Sequence, residues 1–217
     1  MSRHSPESSS TRRRKPKFAP VTLSEQEGVR YLHFGTEWIQ GAMRLRKPDW
    51  IELEYAQQMM TWMLFIEQPK RIVQLGLGAA ALTKFCRRWY PRSAITAVEL
   101  NPSVIDICHS MFKLPIADDL LEIIEGDAGD FVEDRANHGT IDVLQIDLYD
   151  ATARGPVLES PEFYRACARC PPFLTFWVLG CATVVVVEGA VPSQERQTWQ
   201  TTKSIWKQQR AKGWTSK

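Results

Sequence analysis

The sequence predicts an α/β fold: a doubly wound, Rossmann-like parallel sheet preceded by a small N-terminal β-hairpin subdomain. Three observations predict it. From Arg71 onward apolar runs alternate with helix-forming stretches, and parallel strands require such crossovers. The first apolar run, RIVQL, ends in Gly76-Leu77-Gly78 and leads straight into a helical stretch, the usual setting of a ligand-cradling turn. The run ATVVVV at 182–187 is apolar throughout, as expected of a strand covered on both faces.

The elements follow in chain order. Residues 1–20 are rich in Ser, Arg and Pro with no apolar run, so they read as a disordered basic tail and not as a secretory signal. Residues 21–66 form the N-terminal unit. VRYLHF and EWIQGAMRL alternate apolar and polar residues around Gly35, which reads as a hairpin. WIELEYAQQMMTWMLFI (50–66) lacks Gly and Pro and reads as one helix, its Met59, Met60, Trp62 and Met63 stripe being core.

Residues 67–191 carry the sheet. RIVQLGLG, AITAVEL, LEIIEGDA and IDVLQIDLYD are four strands, and ATVVVVEG is a fifth. AALTKFCRRWY and PSVIDICHSMF are helices, as is SPEFYRACARC, where Ser160 suits the N-cap and Pro161 the first turn. Cys170 to Val187 is uncharged for 18 residues, near the shortest length that spans a bilayer; Pro171, Pro172 and Gly180 favour a buried strand after an apolar turn. Residues 192–217 read as a basic tail or helix. Cys167-x-x-Cys170 has no second ligand pair, sits late in a helix and reads as core. His33 and His109 receive no role.

Length and charge bound the function. The 217 residues fit one domain and a tail. Five cysteines make a disulfide scaffold unlikely and favour a reducing, cytoplasmic setting. Six Lys/Arg stand against one Glu in residues 1–20 and again in 195–217, leaving 15 basic and 23 acidic groups between. An acidic body favours a cationic small ligand over nucleic acid, although the same charge suits an ordinary solvated surface.

The chemistry gathers at strand ends, where ligands bind in open α/β sheets. Gly76 permits a tight turn and Gly78 a close backbone approach. Glu99 ends the second strand, 21 residues after Gly78, where a carboxylate can accept from two ribose hydroxyls. Asp127, after the third strand, can meet an adenine amino group and favours an adenosyl-sulfonium ligand over a dinucleotide; it also suits an Asx turn. Asp147 and Asp150 follow the fourth strand. Such a pair can hold an amine and take its proton, bind Mg²⁺, or cap a turn.

Over about 140 residues, from Tyr31 to Cys167, these motifs resemble the polyamine aminopropyltransferases, the spermidine and spermine synthases. The likeness rests on Gly76 and Gly78, on Glu99 in AVELNPSVI, on Asp127 in EGDAGDFV and on Asp147-x-x-Asp150. Gly155-Pro156 and Pro161-Glu162-Phe163-Tyr164 reinforce it. It implies a Rossmann-like sheet of the S-adenosylmethionine-dependent methyltransferase type. It implies decarboxylated S-adenosylmethionine as aminopropyl donor, a diamine such as putrescine as acceptor, no metal, and a homodimer. Position by position, Asp147 would be the catalytic acid/base and Asp150 would hold the amine. Glu99 would bind ribose, Asp127 adenine, and Gly76 and Gly78 the donor. Gln40 would lie near the donor, and Tyr55 would match a tyrosine of the acceptor site. The family's glycine loop usually reads GGGDG; here it is LGLGAAA, which points to a divergent, spermidine synthase-like branch. The stretch after Cys170 departs from the family pattern and reads as a truncated or altered end. The alternatives are a methyltransferase using intact S-adenosylmethionine and a catalytically inactive member of the fold.

Overall fold

The computed structural model describes residues 18–149, 158, 160–171 and 176–179. Two sheets form. The first is antiparallel, in the order β1-β2-β3: Val21–Gln26, Val29–Phe34 and Gly41–Arg44. The expected hairpin is β2/β3, with Leu32 opposite Gly41. The subdomain has one strand more than a hairpin. β1 carries polar residues at most positions and is largely exposed, with Val21 and Leu23 alone packing partly on the core, so its apolar stripe is short. Glu27 and Gly28 both have positive φ, 51° and 75°, the pairing that two-residue hairpin loops need.

Register places Leu32, Gly41 and Met43 on one face, which packs on Leu77, Ala79 and Ala80 of the larger sheet's glycine turn. Gly41 allows that approach: a Cβ there would stand 2.5 Å from the Ala79 nitrogen. Gly41→Ala is therefore expected to cost about 1–3 kcal/mol in urea unfolding, as overpacking does; an unchanged midpoint would show that the small sheet is not seated on the turn.

The segment predicted as one helix over 50–66 is broken. α1 covers only Glu54–Gln58, and a 3₁₀ turn follows over Thr61–Leu64. In a continuous helix the Met59 carbonyl would accept from the Met63 amide. Here that amide donates to Met60, and the Met59 carbonyl accepts from the Gln145 side chain at 3.0 Å. The ladder shortens already at the Met60 amide, which donates to Gln57, and the Met59 carbonyl that leaves it is met by a partner 86 residues away. The Met and Trp stripe is core as expected, with Met59, Met60 and Trp62 buried.

The second sheet is parallel, in the order β6-β5-β4-β7-β8. Its strands are β4 (Arg71–Leu75), β5 (Ala94–Glu99), β6 (Leu121–Glu125), β7 (Val143–Ile146) and β8 (Phe176–Leu179). The helices are α2 (Ala81–Trp89), α3 (Pro102–Met111), α4 (Ala128–Glu133) and α5 (Pro161–Arg169). The doubly wound fold is thus as predicted. The fifth strand described is β8; the stretch 182–189 read as that strand lies outside the described residues, as do most of the two tails. α5 begins as foreseen, Ser160 accepting from the Phe163 amide. α4 is an addition to the expected elements.

Apolar residues cover both sheet faces. Ile72, Ile95 and Val143 pack with Phe85 and Trp62 on one side; Val73, Val98 and Leu144 pack with Val132, Phe163 and Cys167 on the other. Cys167 and Cys170 are both buried. Two cations finish α3. Arg30 of β2 donates to the Met111 carbonyl, and the buried Lys84 ammonium donates to that of Phe112 at 2.7 Å. Cations there complement the negative end of the helix, although burial pulls Lys84 down to about 8. Among the described residues no helix is long and apolar enough to cross a membrane.

Candidate active site

The strand order turns four sequence signals into one edge. At the carboxyl ends of β6, β5, β4 and β7 stand, side by side, Asp127, Glu99, Gly76 and Asp147. Between β4 and β7 the winding reverses, and this switch point is where open sheets bind ligands. A pocket lies there. Gln40, Tyr55, Gly76, Gly78 and Asp147 all line it, so five of the eight predicted positions share one space.

Gly76 is required at its position. Its φ is +94°, and a Cβ would sit 2.2 Å from the Asp147 carbonyl oxygen. Gly78 has φ +51° and lies against the Gln40 carbonyl, 3.1 Å from where its Cβ would be. The turn is closed from the side by Glu99, whose two oxygens accept from the Leu77 amide at 3.1 Å and the Asn101 amide at 2.9 Å. Burial raises the Glu99 pKa, and these amides work against the rise. An ionised carboxylate has about four acceptor positions, of which these amides use two; Glu99 is outside the pocket lining.

Asp127 is the N-cap of α4. Its Oδ1 accepts from the Gly129 amide at 2.7 Å and the Asp130 amide at 3.2 Å, the turn-capping role left open by the sequence. Oδ2 takes no part in that cap. Asp127 is outside the pocket lining and is joined to it only through the sheet edge.

Asp147 is the site's distinctive group. The Tyr55 hydroxyl donates to its Oδ2 at 3.3 Å, which brings together two residues 92 apart in the chain. Its Oδ1 is buried and has no hydrogen-bond partner among the described residues. Burial pushes the carboxyl up to about 6, and the Tyr55 hydroxyl opposes the rise. A buried acceptor without a partner is costly and marks a place built for something else to donate. Asp150 lies outside the described residues. No group of three or more metal-ligating side chains occurs among the described residues.

Three lining or supporting residues escaped the sequence reading. Thr83 faces the pocket from α2. Gln74 and Gln145 are fully buried in adjacent strands. Each interrupts an otherwise apolar strand two residues before a site residue, Gly76 or Asp147, and that was the available signal.

Fold and site together define a Rossmann-like α/β domain with a glycine turn and a buried carboxylate at its switch point. Comparison with known proteins narrows this. The chain is 34% identical over 164 residues to a polyamine aminopropyltransferase of Chromobacterium violaceum. The match takes in 74% of this chain and 62% of that one, so the chain spans less than two thirds of the relative's length. In structure it is similar to a probable spermidine synthase of Corynebacterium glutamicum, with TM-score 0.60, 19% identity, and coverage of 73% of this chain and 59% of the other. A spermidine synthase in complex with the transition-state analogue AdoDATO is similar at TM-score 0.50 and 19% identity, covering 73% and 57%. No family model matches the chain. Over the matched span the chain is similar to the polyamine aminopropyltransferases, the family that its motifs resemble.

Proposed function

We propose that the chain transfers an aminopropyl group from decarboxylated S-adenosylmethionine to a diamine such as putrescine. The observation that carries this is the buried Asp147 carboxylate, which accepts from Tyr55 in the pocket that the glycine turn also lines. The likeness to the polyamine aminopropyltransferases supports it. So does the similar spermidine synthase structure, which is a complex with a transition-state analogue.

In this reading the Gly76–Gly78 turn receives the nucleoside, Glu99 takes the ribose hydroxyls and Asp127 Oδ2, which takes no part in the cap, takes the adenine amino group. Gln40 lies beside the donor. Tyr55 and Asp150 hold the amine with Asp147. An alkylammonium titrates near 10 and cannot attack while protonated. In water its proton would not pass to a carboxylate. In a dry pocket the neutral pair is favoured over two buried charges, and the unpartnered Oδ1 is the acceptor. The neutral nitrogen then attacks the carbon next to the sulfonium. The C–N bond forms, the C–S bond breaks, its electron pair stays on sulfur, and methylthioadenosine leaves. The attacking nitrogen's surplus proton goes to solvent, and Asp147 releases the proton that it took before the next turnover. The chain's contribution is positioning and exclusion of water. A cytoplasmic location and a homodimer belong to the same proposal.

The test offers purified protein decarboxylated or intact S-adenosylmethionine, each with a panel of diamines and polyamines, and reads products by mass spectrometry. Methylthioadenosine with an aminopropylated amine is expected. S-adenosylhomocysteine in its place, or neither product from folded protein, would overturn the reading.

A further inference from the structure

The site is backed by a one-way chain of buried hydrogen bonds. The Thr83 hydroxyl donates to Gln74 Oε1 at 2.6 Å. Gln74 Nε2 donates to Gln145 Oε1 at 2.9 Å. Gln145 Nε2 donates to the Met59 carbonyl at 3.0 Å. The Met59 amide in turn donates to the Tyr55 carbonyl at 3.0 Å. Every amide group along this path is used in the sense its chemistry allows. Gln74 and Gln145 are register partners in β4 and β7, and their neighbours in both strands are apolar. Stability alone would be served as well by apolar side chains there, because a buried amide gains little even when bonded and loses much when not.

What the chain achieves is geometric. By occupying the Met59 carbonyl, Gln145 stops α1 one turn after Tyr55. Gln145 and Asp147 are two apart in the chain, so they stand on the same sheet face. The residue that stops the helix is thus set beside the residue that the helix must reach. We infer that Gln145 is a positioning residue: it fixes the Tyr55 hydroxyl on Asp147 by terminating α1 at Met59. Gln74 and Thr83 orient Gln145 by holding its Oε1 on the Gln74 side, which turns its amide nitrogen toward the Met59 carbonyl and the Met60 sulfur. None of the three touches the reacting atoms.

The test reads the Asp147 carboxyl directly by ¹³C NMR pH titration, its signal assigned by difference from Asp147→Asn. Among the described residues lining the pocket, Tyr55 is the titratable side chain facing Asp147, so loss of its hydroxyl is the change to look for. Tyr55→Phe is expected to move the Asp147 titration upward by about one pH unit, the size of a lost hydrogen bond to a charged group. Gln145→Leu should give the same shift with Tyr55 still present, and the double variant should shift no further. Gln145→Met, an unbranched side chain of similar length, serves if the leucine variant does not fold. A wild-type Asp147 titration in a folded Gln145 variant would overturn the inference, as would failure of both variants to fold, which would assign the chain to stability. Turnover tests the same point only if the proposed reaction holds, with kcat falling and KM little changed. The titration does not depend on that reaction, so the two proposals can fail separately.

Discussion

Replacing Asp147 with asparagine is expected to reduce aminopropyl transfer by about 10²–10⁴-fold and to erase a pH dependence of folding. The second effect follows from burial. The carboxyl titrates at about 6 in the folded chain, against an ordinary value of 3.8. A raised carboxyl pKa means that the folded state holds its proton where the unfolded state has released it. The stability Asp147 contributes is therefore complete below about pH 4 and is lost as pH rises through about 6. A shift of roughly two units corresponds to about 3 kcal/mol. Asp118 runs the other way: its carboxyl is lowered by the Arg87 hydrogen bond, so the comparison must be between wild type and variant across the same pH series. Urea midpoints from pH 4 to pH 8 supply it. Parallel curves for the two proteins would show that Asp147 ionises freely and is not the buried base of the proposed mechanism.

Gly76→Ala is expected to be the most damaging single substitution at the site. Two costs combine. A φ of +94° is strained for any residue with a side chain, and the new Cβ would lie 2.2 Å from the Asp147 carbonyl. Strained backbone costs about 1–3 kcal/mol, and overpacking adds a similar amount. Gly28→Ala separates the two costs, because Gly28 has φ +75° with nothing within 4 Å of a Cβ; it should show only the conformational part. If the two variants unfold at the same urea concentration, the close approach of the glycine turn to β7 is not a constraint. Calorimetry with methylthioadenosine should in addition show binding lost in Gly76→Ala and kept in Gly28→Ala.

The strand ends are legible in the sequence because their signals are local. RIVQLGLG, AITAVEL and IDVLQIDL each join an apolar run to a residue with chemistry, and topology does the rest. What sequence reading misses has distant causes. The 50–66 stretch leaves the helix where the Met59 carbonyl meets Gln145, which no window around Met59 contains. β1 is held by the Glu27–Gly28 turn and by its partner strand, with few buried residues to betray it. α4 is hidden because Asp127 reads mainly as a ligand contact, and only secondarily as a turn residue. In the structure its Oδ1 starts the helix, which leaves one oxygen for either purpose. Tyr55 is the loosest of the carried-over positions. Its contact with Asp147 comes from the early end of α1, not from a matching motif.

The Gln74–Gln145 pair also bears on how the sheet is assembled. β4 and β7 are separated by about 70 residues, with β5 and β6 on the other side of β4, and must find one another across that span. Apolar strands such as RIVQL and VLQI offer few features to tell one alignment from the next. A slip by a single residue would turn one amide to the opposite face, among Val73, Leu144 and Val132, and leave both without a partner. The two glutamines thus act as a key for strand alignment: misassembled sheets are penalised at the junction where the ligand pocket will open.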